Sequence, residues 1–317
     1  MNLHEDREAF SEFVQVAAEK VGFPQVFVEK DYWVTKALKH LSESEYVDET
    51  VFKGGTSLSK AYRLIERFSE DIDLAIISNG KGDNVRKNLL KGIESEVAKS
   101  LIYIPNDVRE SKGSKYRKTV YRYPHSIEDS GFGQVSSDLL IEVNAFTQPE
   151  PFEKRVLSSF IAEMLAGKQR SDLIEQYGLH DFSLNVLSVK RTLVEKILRI
   201  IRDSYHENPI AELSRQIRHI YDICLIMRKE EYQDFCQNKE FSSLCQKCIE
   251  DEKDSFPNYQ QCLEKPLSEA PLFSAFESWS PFLESVYNTD FSELVYGELP
   301  AMDEITSTLR LLKDCLI

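Results

Sequence analysis

The chain has 317 residues, enough to bury a substantial core and to form two domains. A net charge of −14 argues against nucleic-acid binding through an overall positive field. No run of about 18 apolar residues and no N-terminal export pattern is present, so neither a membrane span nor a signal peptide is expected, and the expected location is cytoplasmic. The six cysteines, from Cys224 to Cys315, read as reduced thiols of such a protein. Cys245 and Cys248 form a C-x-x-C, but no second pair at zinc spacing follows.

Taken in chain order, Glu29-Lys30-Asp31-Tyr32-Trp33 opens a helix running to about Leu41, with Val28, Val34, Ala37, Leu38 and Leu41 available for packing. Val51 and Phe52 read as the end of a buried strand. Gly54-Gly55 lets the backbone turn tightly and leave N–H groups at a helix start, where they can bind a phosphate, and Thr56 and Ser57 add hydroxyls. A helical segment, Leu58–Ile65, precedes a second strand, Asp71–Ile77, whose period of two puts Asp71 and Asp73 on one face. Two adjacent carboxylates repel one another unless a cation lies between them, and hard oxygen ligands of this kind suit Mg²⁺ bridged to nucleotide phosphates. The turn is not a Walker A loop, since G-x-x-x-x-G-K-[ST] is not met and Lys60 lies well past Gly55.

Arg109, Lys112, Lys115, Arg117, Lys118 and Arg122 are interleaved with Tyr116, Tyr121 and Tyr123. Such a cluster suits RNA phosphates and stacked bases, or is a solvated loop leading into an edge strand. Gly131-Phe132-Gly133-Gln134 reads as a loop, lacking the third glycine of a dinucleotide site. Asp138–Phe146 is an apolar strand with one inward acid near its end, Glu142, a third carboxylate for the pair or the partner of an arginine at the sheet edge; Asp138, at the polar end, reads as solvated. Pro149-Glu150-Pro151 marks the expected domain boundary. Val186–Arg202 is helical, with Leu193, Ile197 and Ile200 on its buried side and Lys196 and Arg199 on another. In the helix Arg215–Met227, Asp222 pairs by spacing with Arg218. From Arg228 onward there are 8 Lys/Arg against 18 Asp/Glu. That acidic third would repel RNA and suits a basic partner, or simply favours solubility.

The G-G turn ahead of D-x-D resembles the active-site signature of polymerase-β-type nucleotidyltransferases. Lys53-Gly54-Gly55-Thr56 and the pattern Arg67-x-Ser69-x-Asp71-x-Asp73, with Glu29–Trp33, Thr192-Leu193-Val194-Glu195-Lys196 and Arg218-His219-Ile220-Tyr221-Asp222, together resemble the AbiEii/AbiGii toxin family over roughly residues 25 to 225. The last 90 or so residues add nothing to that resemblance.

The resemblance implies an α/β (α+β) fold: a mixed sheet bearing the acids with flanking helices in a catalytic domain, residues 1–150, and a mostly helical domain, residues 151–317, completing the site. It implies Mg²⁺-dependent transfer of a nucleotide from an NTP to RNA, with the tRNA 3′ end known for some relatives, by a toxin of a toxin–antitoxin or phage-defence pair with a cognate antitoxin. Asp71, Asp73 and Glu142 would hold metal, and Gly54, Gly55, Thr56, Ser57, Arg67 and Ser69 the nucleotide. Lys196 would meet the triphosphate, with Asp222 orienting it, and Lys30 or Asp31 would line the nucleotide pocket. A small-molecule or protein acceptor, and a nucleotide- or partner-binding protein without turnover, stay open as alternatives.

Overall fold

The computed structural model describes residues 1–69, 71–126, 138–253 and 262–316, so the Gly131–Gln134 loop lies outside the described residues. The chain divides into two compact units, residues 1–62 with 68–187, and residues 63–67 with 188–317.

In the first unit α1 (Arg7–Val21) and α2 (Gln25–Ser42) precede β1 (Thr50–Lys53), α3 (Gly54–Lys60), β2 (Ile72–Ile76) and α4 (Asp83–Val97). Short β3 (Ile102–Tyr103) and β4 (Ser111–Lys112) lead to β5 (Tyr116–Arg122), β6 (Asp138–Asn144), β7 (Phe152–Leu157), α5 (Phe160–Gly167), α6 (Ser171–Tyr177) and β8 (Phe182–Leu187). The strands form one mixed sheet in the order β3-β5-β6-β2-β1-β8-β7, with β4 paired to β5. β2 is antiparallel to β1 and parallel to β6, so the D-x-D strand lies in the sheet interior. β6 alternates between buried Leu139, Ile141 and Val143 and half-buried Glu142 and Asn144, the pattern of a strand with one face in the core. α4 packs against β2, β5 and β6, and α2 against α4 and β8.

α2 is buried nearly all round, which explains its charged block. Asp31 pairs with Lys60 and accepts the N–H of Phe160 at 2.9 Å, tying α2 to α3 and to the first turn of α5. Glu29 accepts the N–H of Ser126 at 2.7 Å. Asp31 thus holds elements of this unit together, a structural use that the expectation of a pocket-lining role did not foresee.

The second unit contains α7 (Val189–Asp203), α8 (Pro209–Arg215), α9 (Ile217–Met227), α10 (Glu230–Cys236), α11 (Lys239–Lys253), α12 (Pro271–Val286) and α13 (Met302–Cys315). α7 packs on α9 and α11, and the Ser188 side chain caps it by accepting the N–H of Arg191 at 3.2 Å. The segment 63–67 belongs here because its backbone is bonded here. The Glu66 carbonyl accepts the N–H groups of Tyr296 at 2.9 Å and Gly297 at 3.2 Å, and Arg67 bridges Val295.

Some boundaries differ from the sequence reading. The first unit continues past residue 150, because β7 and β8 complete the sheet, and the division falls at Leu187. Val186 and Leu187 are strand, with α7 starting after the Ser188 cap. α3 starts at Gly54 and stops at Lys60, and Gln216 separates α8 from α9.

Candidate active site

In the first unit the acids are placed by strand register. Lys53 pairs with Asp73 across β1 and β2, Asp73 with Glu142 across β2 and β6, and Glu142 with Lys118 across β6 and β5. Directly opposed residues share a face, so Lys53, Asp73, Glu142 and Lys118 form a row across four strands, charged plus, minus, minus, plus. Asp71 precedes Asp73 by two residues at the entrance to β2, and Tyr116 precedes Lys118 by two residues on β5. The Tyr116 phenol is pushed well above its ordinary range by burial, by the charge of and a hydrogen bond with Glu142, and by the charges of Asp73 and Asp71. One phenol therefore feels all three acids.

The glycine turn is fitted to this row. Gly54 has φ +81°, a left-handed conformation that favours glycine, and a Cβ there would lie 2.1 Å from Oδ2 of Asp73. The two hydroxyls of the turn are used within the fold. Thr56 donates to the Asp71 carbonyl at 2.6 Å and lies 2.9 Å from the Ser69 hydroxyl. Ser57 donates to the Gly54 carbonyl at 2.8 Å, and both residues are buried. The expected phosphate-cradling hydroxyls thus hold the turn against the D-x-D strand, leaving the backbone of half-buried Gly54 and Gly55 as the part suited to a ligand.

Glu142 is not paired with an arginine at an edge. It lies inside the sheet with Lys118 Nζ 2.5 Å from its Oε1. Among the described residues, no three His, Cys, Asp or Glu side chains are gathered so as to hold a metal ion, which applies to Cys245 and Cys248 as well as to the three acids. The donor set nevertheless fits a hard divalent cation at Asp71 and Asp73, two carboxylates on one face beside a backbone that a side chain would block.

The second unit holds a separate buried network. Arg67 grips Asp222 with two bonds, Nε to Oδ1 at 2.7 Å and Nη2 to Oδ2 at 2.8 Å. Lys196 Nζ lies 2.8 Å from the same Oδ2 and 3.0 Å from Nδ1 of His219. Burial alone would raise the Asp222 pKa, but the charges of Arg67 and Lys196 outweigh it and hold the carboxyl well below its usual range. Burial lowers the Lys196 ammonium, with Asp222 opposing the shift. Burial and then the Lys196 charge push His219 well below its ordinary value, so its neutral ring accepts from Lys196. Asp222 is therefore shared by Arg67 and Lys196, whereas spacing alone suggested Arg218. Arg67, expected at the nucleotide, is 3% exposed with its fork on Asp222.

The basic cluster is laced with acids. Arg109 pairs with Asp107 and Asp138, Arg122 with Asp138, Lys112 with Glu110 and Arg117 with Glu94. Asp138 is thus engaged, where the sequence suggested a solvated acid. Sequence reasoning gave no role to Tyr116, Lys118 or His219 individually. The signal for the first two was the shared parity on a strand that register sets beside Glu142; His219 lay inside a quoted motif.

No helix among the described residues is long and apolar enough to cross a membrane. No curated protein matches the chain. Among solved structures it is similar to MenT4, a nucleotidyltransferase toxin from Mycobacterium tuberculosis H37Rv, with 15% identity, 96% of this chain and 98% of that chain covered, and a TM-score of 0.46. The family model described as nucleotidyl transferase AbiEii toxin, type IV toxin–antitoxin system, matches residues 36–305. The match begins after the Glu29–Trp33 block and runs well past residue 225, so most of the C-terminal region belongs to it. The protein is a member of the AbiEii family of nucleotidyltransferase toxins.

Proposed function

We propose that this nucleotidyltransferase uses Mg²⁺ to transfer a nucleotide from a nucleoside triphosphate to RNA, with the tRNA 3′ end as the candidate acceptor. It would do so in the cytoplasm, as a toxin restrained by a cognate antitoxin and serving in phage defence. The observation that carries the chemistry is the row of register that sets Asp73 beside Glu142, with Asp71 on the same face.

Asp71 and Asp73 would hold the divalent ion, which when bound supplies positive charge at the α-phosphate and favours ionisation of the acceptor hydroxyl. Gly54 and Gly55 offer backbone to the β- and γ-phosphates, with Thr56, Ser57 and Ser69 keeping that turn on the D-x-D strand. Glu142, beside Asp73 in register, would be the third acid, completing the ligand set and taking the acceptor proton. By the family resemblance Lys196 would meet the triphosphate and stabilise the leaving pyrophosphate; its ammonium lies 2.8 Å from Asp222 and 3.0 Å from His219. Asp222 orients Lys196 and Arg67 orients Asp222, which makes both positioning residues.

A second reading, transfer to a small molecule or a protein, is favoured by the acid pairing within the basic cluster, which weakens the field offered to RNA. Incubating the purified protein with labelled NTPs, Mg²⁺ and either total RNA or a protein and metabolite extract separates the two by the fraction that carries label. Label in neither, with Mg²⁺ and each NTP tried, would point to a binding protein.

A further inference from the structure

Asp73 and Glu142 are neighbours on adjacent parallel strands, about 4.8 Å apart along the hydrogen-bonding direction. Two ionised carboxylates that close repel unless positive charge is supplied. On the β5 side that charge is already built in. Lys118, directly opposite Glu142 in register, has its ammonium 2.5 Å from Oε1, and Tyr116 stands two residues earlier on the same face of β5. The Lys118 ammonium therefore holds Glu142 towards β5. Arg117 is paired with Glu94 of α4 and Arg122 with Asp138, while Lys118 is paired with Glu142. The pair is partly exposed, with side chains 28% and 21% exposed, so its attraction is screened and weak.

We propose that Lys118 is a positioning residue that acts as the resident counter-ion of Glu142, so that the Lys118 ammonium and a divalent ion at Asp71 and Asp73 compete for the same carboxylate. This rests on the reading that those two aspartates bind the ion. Glu142 then changes partner on loading: it leaves the ammonium to complete the ion's oxygen shell, and the released Lys118 stays on the site face. Removing the ammonium leaves Glu142 with no competitor for the ion.

The test is a Mn²⁺ titration of the nucleotide-free protein followed by electron paramagnetic resonance, which needs no turnover. Lys118→Met should bind Mn²⁺ roughly fivefold more tightly than wild type, the lower end of ordinary coupling between linked sites, and Lys118→Arg should stay close to wild type. In a Glu142→Gln background the Lys118→Met change should shift affinity by less than about twofold, since the competed group is gone. Lys118→Gln repeats the measurement should the Met variant not fold. Unchanged or weaker binding in the neutral variants overturns the proposal. So does equal tightening in the Glu142→Gln background, which would mean a general charge effect. If wild type and Lys118→Met bind no more Mn²⁺ than Asp71→Asn and Asp73→Asn controls, the metal reading of the aspartates fails, and this proposal with it.

Discussion

The carboxylate of Asp73 fills the space that a side chain on residue 54 would need, 2.1 Å separating its Oδ2 from an ideal Cβ there. Gly54→Ala should therefore displace Asp73 as well as strain a backbone held at φ +81°. Gly22 is the control, with φ +75° and nothing within 4 Å of its Cβ. Both substitutions should lower the unfolding free energy measured in urea by at least the cost of a left-handed alanine, about 1–2 kcal/mol. Only the Gly54 variant should lose nucleotide incorporation. Full incorporation by Gly54→Ala would remove the coupling between the turn and Asp73.

Asp71→Ala and Asp73→Ala should each abolish incorporation of labelled nucleotide while circular dichroism stays native, because both side chains are half-exposed on the site face of the sheet. Lys196→Ala should slow turnover by about tenfold or more, the scale of a lost charge contact in a phosphoryl transition state. Wild-type labelling by the Asp71 variant would defeat the assignment.

Asp222→Asn leaves Arg67 and Lys196 as two buried cations with no carboxylate between them. Breaking a buried pair in this way costs about 3–5 kcal/mol, so thermal and urea unfolding should both move sharply. A loss smaller than about 1 kcal/mol would show that the network is not closed as described.

His219 gives a pH dependence with a definite sign. Its folded pKa lies well below the ordinary value because of burial and the Lys196 charge, so below about pH 6.5 the unfolded chain binds a proton that the folded chain refuses. Stability should rise with pH through that interval and level off above it. Asp222, whose folded pKa is depressed, stays ionised throughout and loses its contribution only in stronger acid, as pH falls through its own low pKa. His219→Gln should flatten the wild-type slope by up to about 1.4 kcal/mol per pH unit. Equal slopes for the two proteins between pH 5 and 7, from urea unfolding, would exclude a neutral His219.

The basic cluster divides by partner. Arg117→Gln removes the mate of nearly buried Glu94 and should lower the melting temperature. Lys115 is exposed, and Lys115→Gln should leave stability unchanged. If RNA is the acceptor and touches this segment, Lys115→Gln should reduce the slope of log KM for RNA against log salt by roughly 0.7–0.9, one phosphate contact. An unchanged slope would leave the cluster a purely structural one.

The turn, the D-x-D strand and the strand of Glu142 were legible because each is written locally, in glycines and strand parity, while the mixed sheet was what the family resemblance implied. What was not legible depends on register and long-range pairing. Spacing puts Arg218 next to Asp222 along the helix, but the carboxylate goes to Arg67 and Lys196, which lie 155 and 26 residues away in sequence. Thr56 and Ser57 looked like phosphate ligands because hydroxyls after a glycine turn often are; only the placement of the Asp71 and Gly54 carbonyls shows them occupied. Glu142 read as a third carboxylate for the pair or as the partner of an edge arginine, and the cation beside it is Lys118 of β5, whose register with β6 no local pattern reveals. The boundary at Pro149–Pro151 was misplaced for a related reason. Prolines mark a break in the chain, but the strands after them return to the sheet.

The short excursion of residues 63–67 into the second unit has a practical meaning for anyone cutting this protein apart. Arg67 sits between the glycine turn and the D-x-D strand in sequence, yet it belongs to the same unit as Asp222, which it neutralises. A fragment beginning at Ser188 would carry Asp222, Lys196 and His219 but lack the guanidinium that accompanies them, and a fragment ending at Leu187 would carry an arginine and an Ile65 that have lost their surroundings. The helical unit includes the 63–67 peptide, so any attempt to obtain it alone would have to bring that peptide along with it.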